Sequence, residues 1–193
     1  MMTGGVLLMP KQLEQVKNSI VVLRPIYGPW GDSTELWTRE GVSVDRRSIR
    51  SIKKALARLY AIDLPAQGEQ VTALIERQKV LPFYLQPERI FIPLKMRTAR
   101  CPNDRCCGYV DVNYIENIGG EKNTTKLLLK DGRTLDLFCT SSTAAQTICI
   151  GQKLSSNLQP QRDPDDDEVM IKAVLLLLQR LKTLNDILHN FAD

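Results

Sequence analysis

Hydrophobic and polar positions follow two different periods along this chain, and the change of period divides it. From Ser19 to Ile26 the residues are β-branched and apolar (Ile20, Val21, Val22, Leu23, Ile26) and run into Gly28, Pro29, Gly31 and Asp32, which predicts a strand and a loop. Helical spacing then appears over Asp45 to Tyr60, where Ile49, Ile52, Leu56 and Leu59 recur at steps of three and four behind Asp45 as N-cap. Pro65 and Gly68 close that unit. Val71, Leu74 and Ile75 mark a second helix over Glu69 to Lys79, and Leu81, Pro82 and Pro87 make a connector.

From Ile90 the period is that of strands. Ile90 to Pro93 is a short apolar run, and Gly108 to Ile118 holds Tyr109, Val110, Val112, Tyr114 and Ile115, enough for one or two strands. Thr125 to Lys130 and Arg133 to Cys139 flank Asp131-Gly132, the signature of a hairpin with a type I′ turn. Ser141 or Ser142 caps a helix through Ile150 that Gly151 ends. After a polar linker, Asp163-Pro164 and the acidic run Asp165 to Glu168 open a last helix toward Phe191. Its apolar side chains cover about half the helix circumference, more than the roughly 100° a surface helix needs.

This order predicts an α+β protein: a small antiparallel β-rich core, a basic helical N-terminal part and a long C-terminal helix. The divisions expected are 1–79, 80–154, a linker at 155–163, and a helix at 164–193 that packs or forms a homodimer. A composition of 43% hydrophobic and 25% charged residues among 193 excludes wholesale disorder. No apolar run approaches the roughly 20 residues of a spanning helix. The N-terminus lacks a basic stretch before its apolar Val6 to Met9 patch, unlike a signal peptide, and the five cysteines are an odd count. A cytoplasmic protein with reduced thiols is expected.

Charge changes the picture only when it is located. Residues 1–100 carry 16 basic and 9 acidic groups, residues 101–160 carry 6 and 6, and residues 161–193 carry 4 and 7. The basic front concentrates in the first helix, where Arg46, Arg47, Arg50, Lys53, Lys54 and Arg58 follow Asp45 without another acid. On a helical wheel they fall within an arc of about 140° opposite the apolar side. Such a face suits a polyanion whose phosphates neutralise it and release counterions; a solvated surface balanced by acidic neighbours is the plainer alternative. A second basic group, Lys95, Arg97, Arg100 and Arg105, lies on the loop between two predicted strands, where side chains reach phosphates or base edges.

The same stretch carries a resemblance. Phe91 and Pro93 in a strand, Arg97, then Cys107-Gly108-Tyr109-Val110, Ile115, a turn at Gly132, Leu135 and Leu137, and Ser141 or Ser142 in a helix resemble the core of the bacterial competence transcription factor ComK family. More distantly the pattern is similar to LytTR-type DNA-binding domains. The resemblance covers about residues 80–154; Tyr109 stands where that family has tryptophan, and Cys101 to Cys106 is an insertion. It implies a transcriptional regulator that binds double-stranded DNA, with AT-rich minor-groove sites as the family's preference.

A reading from another class is a non-catalytic protein-interaction module with a structural zinc at Cys101, Cys106 and Cys107, helped by Cys139 or Cys149. The spacing departs from paired CxxC knuckles, so no metal and no cofactor are expected. Enzyme chemistry is not expected either: GxxxxGK[ST], GxSxG and HExxH are absent, and the single histidine, His189, lies in the apolar last helix.

Overall fold

The computed structural model describes residues 6–7, 10–29, 31–75, 80–102, 104–120, 124–158, 172, 174–178, 180 and 182. Residues 1–159 form one compact unit and 160–193 a second. The protein is α+β, as its periodicity predicts. In chain order the first unit contains β1 (Val6–Leu7), α1 (Pro10–Val16), β2 (Ile20–Gly28), β3 (Gly31–Thr38), β4 (Val42–Asp45), α2 (Ile49–Leu59) and α3 (Leu64–Ile75). β5 (Phe83–Gln86), β6 (Arg89–Lys95), β7 (Cys107–Asp111), a 3-10 turn (Val112–Tyr114), β8 (Ile115–Gly119), β9 (Thr125–Leu129), β10 (Thr134–Leu137) and α4 (Ser141–Leu158) follow.

Among the described residues the strands make a seven-stranded sheet, ordered β1-β4-β3-β2-β7-β6-β5, and a three-stranded sheet, ordered β10-β9-β8. Only the β1–β4 pair is parallel. The large sheet is apolar on both faces because each is covered. On one, Leu13 of α1 and Ile49, Ile52 and Leu56 of α2 meet Ile20, Leu23, Leu36, Phe83, Phe91 and Tyr109. On the other, Ile90, Ile92 and Leu94, alternating along β6, and Met96 just after it meet Val71 of α3, Ala144 and Leu154 of α4, and Leu127, Leu129, Leu135 and Leu137 of the small sheet. The edge strand β5 is closed by a side chain: buried Gln67 donates to the Tyr84 carbonyl at 2.8 Å and accepts from its N–H at 3.1 Å.

Several expectations change. The division at residue 80 dissolves, because β2 pairs with β7 and both parts share one sheet. The helix expected from Asp45 begins at Ile49, capped by Ser48, whose hydroxyl accepts the Ser51 N–H at 3.4 Å. Asp45 instead ends β4, buried, and takes the Arg47 N–H at 2.9 Å. Pro65 opens α3 rather than closing a unit: Asp63 accepts the Ala66 N–H at 3.2 Å, and a first-turn proline sacrifices no helical hydrogen bond. Residues 76–79 of the expected second helix lie outside the described residues.

The hairpin at Asp131-Gly132 forms, but not with a type I′ turn. Gly132 has φ +82° while Asp131 is not among the positive-φ residues; Gly132 donates to the Leu129 carbonyl and Leu129 to the Arg133 carbonyl, both at 2.9 Å. That is a three-residue loop with a single left-handed glycine. α4 starts from Thr140, whose hydroxyl accepts the Thr143 N–H at 3.2 Å, and runs through Gly151 instead of ending there. A Cβ at Gly151 would sit 2.4 Å from the Ile92 side chain, so this glycine is a packing contact with β6. Ser155 to Leu158, expected in the linker, therefore belong to α4, and 159–163 lie outside the described residues.

In the second unit residues 172, 174–178, 180 and 182 are helical, and the rest of the expected 164–193 helix lies outside the described residues. Among the described residues no helix is long and apolar enough to cross a membrane.

Candidate nucleic-acid interface

α2 buries Ile49, Ile52, Leu56 and Ala57 against the sheet, which turns the opposite side outward. Arg50, Lys54 and Arg58 lie four residues apart along that side and are all exposed, so they form one row. The other three cations of the expected arc behave differently. Arg46 and Arg47 precede the helix; Arg46 is exposed, whereas Arg47 grips Asp45 through Nε at 2.9 Å and Nη2 at 2.7 Å. Lys53 turns inward. Its Nζ lies 4.5 Å from the Phe83 ring centre and 4.9 Å from that of Tyr109, and burial pushes its pKa down to about 8.

The loop from β6 to β7 is shaped by Arg97, which is buried. Its Nε donates to the Arg105 carbonyl at 2.9 Å, Nη1 to the Ile26 carbonyl at 2.9 Å and Nη2 to Asp32 at 2.8 Å. The guanidinium also stacks on the Tyr27 ring, 3.9 Å from its centre, and Arg100 stacks on the same ring at 4.2 Å. The Tyr27 hydroxyl donates to Asp104, and the Arg100 and Cys101 N–H groups donate to the same carboxylate oxygen, each at 2.9 Å. These bonds hold the Asp104 carboxyl below its ordinary range, the Tyr27 hydrogen bond first among them. The expectation that Arg97 reaches base edges is thereby corrected: its donors are used inside the protein. Lys95, Arg100 and Arg105 are exposed.

The two basic groups, separated by about half a hundred residues in the chain, meet in space. Arg50 and Lys53 of α2 line one cleft of about 510 Å3 together with Lys95 at the end of β6 and Arg105 of the loop, over a floor that includes Ile49, Val80 and Tyr109. A second concavity of about 860 Å3 adjoins it at Lys95, which lines both, and adds Thr98, Lys126, Phe138, Thr140 and Ser141. Basic side chains thus line two concavities that share Lys95, a track from α2 to the start of α4. Lys126 and Phe138 escape sequence reasoning that looks for clusters. Lys126 is the exposed position between buried Thr125 and Leu127 in β9, an alternation legible in the sequence, whereas Phe138, 47% exposed, follows the last residue of β10 and has no such signal.

The cysteines do not gather into a metal site. Cys101 and Cys149 are exposed, Cys106, Cys107 and Cys139 are half-buried, and all five are free. Among the described residues no three Cys, His, Asp or Glu side chains are placed to share an ion. Burial, then the neighbouring Cys106 and Cys139, push the Cys107 thiol up.

No family model, curated protein or solved structure matches this chain.

Proposed function

We propose that this protein is a cytoplasmic, non-catalytic regulator of transcription that binds double-stranded DNA along the basic track. The observation that carries the reading is the meeting of Arg50, from the α2 row, with Lys95 and Arg105 of the β6–β7 segment at one cleft, because cations from remote segments are brought together there at the cost of mutual repulsion. The resemblance of residues 80–154 to the competence transcription factor family supports the same reading. Within it, Arg50, Lys54, Arg58, Lys95, Arg100, Arg105 and Lys126 approach the duplex. Arg47, Lys53 and Arg97 hold the protein surface in shape and are withdrawn from the contact set. The described part of the last helix favours a homodimer: Val174 to Leu178 are each 50–61% exposed, and five consecutive apolar residues face every side of a helix, so a second copy is the simplest cover.

The test is binding to AT-rich and GC-rich duplexes of equal length at two salt concentrations. A regulator of this family's kind binds both at low salt and retains preference for the AT-rich duplex at high salt. Absence of binding to either duplex at low salt would favour the protein-interaction alternative.

A further inference from the structure

The cleft between α2 and the β6–β7 loop has two properties that duplex binding does not require. It has an apolar floor, and it contains a cation recessed from the surface. Among the described residues none of Arg50, Lys53, Lys95 and Arg105 is ion-paired. The carboxylate in the lining, Asp104, is engaged by the Tyr27 hydroxyl and two backbone N–H groups. Lys53 is supported instead by the Phe83 and Tyr109 rings, which attract an ammonium less strongly than a carboxylate does once water is excluded. A volume of about 510 Å3 falls in the roughly 300–1,000 Å3 range of small-molecule sites, which combine apolar walls with a few placed polar groups.

We propose that this cleft binds one small carboxylate with an apolar, flat body, its carboxylate between Lys53 and Arg105 and its body on Ile49, Val80 and Tyr109. The depressed pKa of Lys53 fits this geometry, since burial without a counter-ion is what lowers it. A phosphodiester of a duplex does not fill such a site: it carries no apolar body to meet the floor. The inference therefore stands apart from the nucleic-acid reading and is tested without DNA.

Isothermal titration calorimetry with 2-naphthoate is the experiment, using the full chain, with naphthalene-2-carboxamide and inorganic phosphate as the uncharged and the body-less comparisons. The proposal predicts one site per chain for 2-naphthoate, and at least about tenfold weaker binding of each comparison compound. Lys53→Met, which keeps an apolar stem, and Arg105→Gln at the exposed rim each weaken 2-naphthoate at least about tenfold. If Lys53→Met does not fold, Arg105→Gln decides. No saturable binding, equal binding of the carboxamide or of phosphate, or unchanged binding in the folded variants would each overturn the proposal. A chain that binds duplex DNA but not 2-naphthoate overturns this inference and leaves the nucleic-acid reading intact.

Discussion

Arg97 occupies a position that invites a functional reading, in a basic stretch at a strand end, yet three carbonyl or carboxylate oxygens and an aromatic ring surround its guanidinium. Removing it leaves the Ile26 and Arg105 carbonyls without their partner. Arg97→Ala should lose about 2–4 kcal/mol of stability in urea unfolding, and Arg97→Lys should not restore it because an ammonium cannot span the same fork. Lys53 makes a second test. Its folded-state pKa of about 8 lies below the unfolded value of 10.5, so the unfolded chain binds more protons between these values and stability rises with pH across that window. Unfolding at pH 7 and pH 10 should show the wild type gaining on the order of 2 kcal/mol relative to Lys53→Met; a constant difference would mean that Lys53 is solvated. The sequence already holds a hint of its inward turn, since Lys53 is one helical turn after Ile49 at the edge of the cationic arc. Nothing in the sequence announces the fate of Arg97, whose distant partners are Ile26 and Tyr27 of β2 and Asp32 of β3.

Among elements, α2 has the clearest division of labour: one side packs on the sheet and the other presents Arg50, Lys54 and Arg58. If this row meets phosphates, Arg50→Gln/Lys54→Gln weakens binding alike on all duplex sequences and flattens the slope of log K against log salt by about two at most. Fluorescence anisotropy at several salt concentrations reads both. α2 is legible from the helical repeat of its apolar positions, β2 and β6 from short β-prone apolar runs, the start of α4 from its hydroxyl-rich cap region, and the β9–β10 hairpin from the two β-prone runs around Asp131-Gly132. β3 is not, because Ser33, Thr34 and Thr38 are buried there beside Leu36 and Trp37, which erases the alternation a half-buried strand shows. Thr34 is tolerated by donating to the Arg47 carbonyl at 2.9 Å and Thr38 by donating to that of Gly41 at 3.1 Å, bonds that only the fold provides. β5 is hidden between prolines and closed by Gln67 from α3, a partner the local sequence cannot reveal.

For the molecule as a whole, the pairing of β2 with β7 turns two expected parts into one sheet and brings two remote basic segments to one cleft. Each basic segment is visible in the sequence; their meeting is not, because it depends on sheet order. The second unit makes its own prediction. Deleting residues 160–193 removes the exposed Val174 to Leu178 and leaves the compact first unit whole. The full chain should sediment as a dimer at tens of micromolar, about the range where a useful dimer is populated, and the truncated chain as a folded monomer. A monomeric full chain would end the dimer reading, and an unfolded truncation would make the last helix part of the core.

The central claim, a concave track that binds duplex DNA through its phosphates, meets its most direct test in the salt dependence of wild-type binding to a labelled duplex. With seven cations in the contact set and about 0.9 counterion released per phosphate neutralised, log K should fall with log salt at a slope of about −6. A slope near zero, or no binding at about 50 mM salt where such contacts are strong, would contradict it.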